Sequence, residues 1–167
     1  MPGVFTCYFE SIVAMDLILW RHAEAEDGLD DLARPLTEKG RKQAARMARW
    51  LAGQLKGQSV RVVTSGAVRS EQTARALGQG FEVDTRINPG ALAAAYLEVA
   101  GWPQGDGRIT VLVGHQPTLG RVASLLMTGR ESDWATRKGA IWWIQRRRRE
   151  QKVHYVLKAC LSPELLD

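Results

Sequence analysis

The sequence is poor in cysteine, in long apolar runs and in low-complexity stretches, and each shortage removes a class of protein. Only two cysteines occur among 167 residues, Cys7 and Cys160 near opposite ends, with no C-x-x-C or Cys/His ligand spacing. Neither a disulfide framework nor a metal site is indicated, and no cofactor is expected. No segment reaches the roughly 18 consecutive apolar residues of a membrane span. The first 14 residues lack a basic n-region, and Glu10 interrupts their apolar stretch, which argues against a secretory signal and for a cytoplasmic protein. Because Met15 directly precedes the first strong strand, residues 1–14 read as an N-terminal extension. With no internal repeat or linker, a single domain over 1–167 is expected; its oligomeric state is not legible.

What is present is ordinary for a globular chain: 45% hydrophobic and 25% charged residues, which excludes wholesale disorder. The net charge of +5, from 23 Lys+Arg against 18 Asp+Glu, favours anionic partners. Part of that excess is local, in the run Arg146 to Arg149. Such a run reads first as a solvated hairpin tip that could steer an acidic partner. Without an aromatic-interleaved groove, no specific nucleic-acid binding is expected.

The pattern along the chain alternates strands and helices. Leu17 to Trp20 form a short apolar run, the mark of a strand buried on both faces, and lead directly into Arg21 and His22. An acidic surface loop follows, with Glu24, Glu26, Asp27, Asp30 and Asp31. Thr37 is a plausible N-cap for an amphipathic helix running to about Lys56 and ended by Gly57. Val60 to Val63 is a second strand, Val68 to Leu77 a helix, Phe81 to Ile87 a weaker third strand, and an Ala/Leu-rich helix runs through Val99. Ile109 to Val113 is the clearest strand, followed by Gly114-His-Gln-Pro117 and a helix from about Thr118 to Met127. Two β-rich runs, Ala140 to Ile144 and Val153 to Leu157, read as an antiparallel hairpin joined by a charged connector, with Trp142 and Trp143 as packing residues. The expected fold is three-layer α/β/α: a mostly parallel sheet with helices on both faces and the C-terminal hairpin at its edge.

In a parallel sheet, three strand ends would bring chemistry to one edge: Arg21-His22, the helix start carrying Arg69, and His115. Two guanidinium groups and two imidazoles facing one cleft suit a phosphoryl group, which guanidinium binds through paired, charge-assisted hydrogen bonds. Helix N-termini after the strands would add backbone donors. Arg69 stands at a helix start, where the dipole favours anions, so a bound phosphate explains it better than a purely structural role.

Arg21-His22, Thr64-Ser-Gly-Ala-Val-Arg-Ser-Glu-Gln-Thr-Ala74 and Gly114-His-Gln-Pro117 together resemble the histidine phosphatase (phosphoglycerate-mutase-like) superfamily. Arg34-Pro-Leu-Thr37 before Glu38-Lys-Gly40, and Gly114 to Gly120, look most like the SixA-type phosphohistidine phosphatases. The resemblance implies His22 as nucleophile, forming a phosphohistidine intermediate that water resolves, with no metal required. It implies Arg21 and Arg69 as phosphoryl clamps, His115 as donor or proton handler, and Arg34 as a further phosphate contact. Ala23 replaces the family's usual glycine and Ser65-Gly66 its usual Ser-Pro, both small changes. No glutamate stands in Arg86 to Ala91, where relatives acting on alkyl phosphates carry a general acid; Glu24, Glu26 and Glu98 are the nearby alternatives. An imidazole leaving group departs with its proton already on the ring, so a missing acid favours a phosphohistidine-bearing protein as substrate. A phosphatase of a small phosphorylated metabolite, or a non-catalytic phosphoprotein-binding module, are the rival readings.

Overall fold

The computed structural model describes residues 14–166, so Cys7 and nearly all of the N-terminal extension lie outside it. Six strands form one sheet in the order β3-β2-β4-β1-β5-β6. Strands β1 (Met15–Arg21), β2 (Val60–Thr64), β3 (Glu82–Val83) and β4 (Ile109–Gly114) run parallel, while β5 (Ile141–Arg149) and β6 (Lys152–Leu161) pair antiparallel at the edge. This is the α/β architecture that the strand–helix alternation predicts.

β1 lies at the centre because it can be buried on both sides. Leu17 and Leu19 pack with α3 (Ala93–Ala100) and α4 (Thr118–Thr128) on one face. Ile18 and Trp20 pack with α1 (Glu38–Gln54) on the other, where Ala74 of α2 (Val68–Arg75) joins them. All four side chains are fully buried, a contribution of about 1.5–3 kcal/mol each relative to exposure. Thr37 caps α1 as expected, its Oγ1 accepting from Gly40 N at 2.8 Å. Gly40 is required by proximity: a Cβ there would stand 1.9 Å from the Glu24 carbonyl oxygen. α1 thereby presses on the chain just past β1 and fixes how it leaves the sheet.

Two segments differ from expectation. The predicted strand over Phe81 to Ile87 is a strand only at Glu82–Val83; Thr85–Ile87 turns into a 3-10 helix. Asp84 causes the turn, its carboxylate accepting from Arg86 N at 3.0 Å in competition with the ladder. In the hairpin, the charged connector is itself strand, and the loop shrinks to Glu150 and Gln151, both at positive φ. That pair of left-handed residues matches the twist of the flanking strands. Since Met15 pairs with Arg146 and Trp20 with Ile141, the arginine run extends past the amino end of β1. At ~3.3 Å per strand residue it reaches about 26 Å from Ile141, at the opposite end of the sheet from Arg21 and His22. Among the described residues, no helix is long and apolar enough to cross a membrane.

Candidate active site

Parallel pairing of β1 with β4 and of β2 with β4 places three strand ends side by side, Arg21 opposite Gly114 and Thr64 opposite Val113. A cleft of about 340 Å³ opens there, lined by Arg21, His22, Arg69 and His115 among others. All four residues that the sequence assigns to strand ends and a helix start therefore meet in one place. Arg34 lines the same cleft.

His22 is 8% exposed. Its Nδ1 lies 2.7 Å from the Ala23 carbonyl oxygen, a pure acceptor, so Nδ1 carries the hydrogen and Nε2 keeps its lone pair. Nε2 faces Arg69, whose Nε is 3.3 Å away. Burial first, and then the Arg69 and Arg21 charges, hold the ring neutral, its pKa pushed down to about 4. His115, 3% exposed, is pushed down to about 3 by burial and by His22 and Arg69. The two rings are 5.2 Å apart between centroids. Both stay neutral at pH 7, one offering a nitrogen lone pair, and neither adds repulsion to the nearby guanidinium groups.

The arginines are held differently. Arg21 Nη1 donates to the Thr136 carbonyl at 2.6 Å, and among the described residues its buried Nε has no partner. Arg69, 3% exposed, ion-pairs through Nη2 with Asp31 at 3.0 Å, and Nη1 donates to the Asp31 carbonyl. Asp31 also takes two bonds from Arg34, at 3.1 and 2.8 Å. These donors hold the Asp31 carboxyl below its ordinary range, Arg34 contributing most. It is thus a carboxylate at neutral pH, poorly suited to give up a proton.

None of the three glutamates considered as acids lines the cleft. Glu24 is engaged by Lys39, Lys138 and Thr37. Glu98 pairs with Arg86 at 2.8 Å, and Glu26 contributes its carbonyl to Arg34. The cleft's carboxylates are Asp27 and Asp31. The acidic composition of the loop made them visible only as surface charge. Lys138 also lines the cleft without a sequence signal, brought there by the loop before β5, and Gln116 lines it from within the Gly114-His-Gln-Pro117 motif. Helix-start amides contribute less than expected. Gly66 N donates to Asn88 Oδ1 at 2.8 Å, Val68 N to the Leu32 carbonyl at 2.9 Å, and Gly120 N to Gln116 Oε1 at 3.0 Å. The chain's own oxygens absorb these donors. The first of these bonds needs Gly66 rather than proline, since proline has no N–H.

Gly114 makes the site compact: a Cβ there would fall 2.1 Å from Tyr96 Oη. That hydroxyl accepts from His115 N at 3.0 Å and donates to the Ile87 carbonyl at 3.2 Å, tying α3 to the strand end.

The family model for the histidine phosphatase superfamily, branch 1, matches residues 17–104. The chain belongs to the histidine phosphatase superfamily. An uncharacterized protein of Picosynechococcus sp. is 35% identical over 124 residues, 69% of this chain and 74% of its own. The protein histidine phosphatase SixA complexed with tungstate aligns with a TM-score of 0.71 at 28% identity, over 90% of this chain and 99% of that one. A mycobacterial glucosyl-3-phosphoglycerate phosphatase shares the fold, with a TM-score of 0.65 at 19% identity over 87% and 98% of the two chains. Family membership and the SixA likeness support phosphatase activity for this histidine phosphatase.

The buried neutral imidazoles link the stability of this histidine phosphatase to pH. From the ordinary 6.5 down to about 4 and 3, the unfolded chain binds protons at His22 and His115 that the folded chain refuses. Unfolding free energy therefore falls as pH drops below 6.5. Urea midpoints are expected to decrease from pH 7 to pH 4.5, and imidazole NMR signals of both residues to titrate below pH 5. Midpoints near 6.5 for both rings would contradict the geometry.

Proposed function

We propose that this chain is a cytoplasmic, metal-independent phosphatase that removes phosphate from phosphohistidine on a protein. His22 Nε2, neutral and bearing its lone pair, attacks phosphorus as the bond from phosphorus to the substrate's imidazole nitrogen breaks. The departing imidazole leaves neutral once its other nitrogen has taken a proton from solvent, so that the ring itself carries the proton an alkoxide would need from the enzyme. Water then cleaves the phosphorus–Nε2 bond, giving inorganic phosphate and restoring His22. Arg21 and Arg69 hold the phosphoryl oxygens, His115 adds a neutral contact, and Arg34 stands behind Asp31 at the mouth.

The observation that carries the choice of substrate is that no glutamate lines the cleft among the described residues and that two arginines hold Asp31 ionised. An alkoxide leaving group depends on a proton donor in the site, whereas a ring-protonated imidazole does not. The likeness to a SixA structure holding tungstate, a phosphate-like oxyanion, supports the same reading. The likeness to a mycobacterial glucosyl-3-phosphoglycerate phosphatase, at 19% identity, speaks for the fold alone. The deciding measurement compares kcat/KM for a phosphohistidine peptide with that for an unactivated alkyl phosphate. A preference of about a hundredfold or more for the peptide is expected, within the span of general-acid effects; equal turnover would reject the assignment.

A further inference from the structure

We propose that Ser65 is a positioning residue that fixes His115 as its Nδ1–H tautomer, so that the ring turns a neutral N–H donor, not a lone pair, toward the cleft. His115 Nε2 points away from Arg69 into a buried corner where two hydroxyls meet it, Ser65 Oγ at 2.7 Å and Ser70 Oγ at 3.4 Å. Both serines are fully buried. Hydrogens on such rings are assigned from the bonding network, and here the network is unequal for the two choices.

Ser65 Oγ already accepts from Ala67 N at 3.3 Å. If Nε2 carried the hydrogen, Ser65 Oγ would accept twice, and its own O–H would have no acceptor among the described residues. A buried hydroxyl left without an acceptor is costly. If Nε2 is bare, Ser65 gives its hydrogen to the ring and takes the Ala67 amide, and its hydroxyl is satisfied as donor and acceptor. The ring's single hydrogen then sits on Nδ1. Arg69 Nη2, which can only donate, stands 3.5 Å from that atom, a long contact that this tautomer gives up in exchange for the 2.7 Å bond from Ser65.

The strand end from which the ring hangs is itself fixed. Its backbone N–H is held by Tyr96 Oη, and the space behind Gly114 is filled by the same tyrosine. His22 and His115 thus share a tautomer for opposite purposes. His22 turns its N–H to Ala23 and its lone pair to Arg69 Nε, while His115 turns its lone pair to Ser65 and its N–H to the cleft. That the N–H meets a phosphoryl oxygen rests on the function proposed above; the tautomer itself does not.

The test separates the two. In wild-type protein labelled with ¹³C and ¹⁵N at histidine, the His115 ring should give the shifts of an Nδ1–H tautomer, with or without inorganic phosphate. In Ser65→Ala/Ser70→Ala the ring should lose that signature, and inorganic phosphate should inhibit p-nitrophenyl phosphate hydrolysis about tenfold more weakly; Ser70→Ala alone should leave both unchanged. An Nε2–H signature in the wild type overturns the proposal even if the enzyme is fully active. An Nδ1–H signature that survives the double substitution overturns the role of Ser65. A correct signature in a protein without turnover leaves the tautomer standing and refutes the catalytic reading instead.

Discussion

His22→Ala is expected to abolish phosphate release from p-nitrophenyl phosphate, lowering kcat by about a thousandfold or more, with the protein still folded. The expectation follows from what His22 does and does not hold together. Its ring bonds the neighbouring Ala23 carbonyl and faces Arg69, so removing it leaves the sheet, the helices and both apolar layers intact. It takes away the one lone-pair nitrogen poised in the cleft. A chemical trap sharpens the result. Rapid denaturation during turnover should capture a phosphoryl group on the wild-type chain that is lost in acid and persists in alkali, as a phosphorus–nitrogen bond is. Full activity in His22→Ala, or a captured group with the opposite stability, would displace His22 from the nucleophile's role.

Arg69→Gln is expected to reduce kcat/KM by about 10²–10³-fold, in the range found for removing one preorganised donor from a developing oxyanion. Arg69→Lys should recover little of this, because an ammonium cannot span two oxygens as a planar fork does. Arg69 also touches three other groups in the cleft: His22 through Nε, Asp31 through Nη2 and, at 3.5 Å, His115. Its loss therefore acts on the nucleophile's surroundings as well as on the anion. The double variant with His22→Ala should be no worse than His22→Ala alone, since groups that act as a unit do not add. If Arg69→Gln left kcat/KM within threefold of wild type, the anion would have to be held elsewhere.

The residues legible in the sequence share one property: they directly follow a strand or open a helix. A buried run such as Leu17 to Trp20 announces a strand, a parallel sheet gives all such strands a common end, and Arg21, His22 and His115 therefore had to lie together. Arg69 followed from its awkward place at a helix start. Asp31 and Lys138 gave no such sign, because a loop's path depends on contacts made after the sheet has formed. The short β3 illustrates the same limit: Val83 and Ile87 look like strand residues, yet one aspartate between them, Asp84, turns the chain. Ser65 was visible within a motif, but the direction of its hydroxyl exists only once β2 lies beside β4.

Asp31 ties the acidic loop to the cleft, and this bears on how such an enzyme can be re-engineered. The loop is closed at its base by the pairing of Ala25 with Leu36 and by the bond from Glu26 N to the Pro35 carbonyl. It therefore looks like a cassette that could be exchanged to retarget the protein. It is not interchangeable. A transplanted loop lacking a carboxylate at that point would leave Arg69 without its ion-pair partner, and so would change the cleft's cationic face along with the choice of partner. Recognition and catalysis share a hinge here, and a donor loop must bring its own aspartate to work.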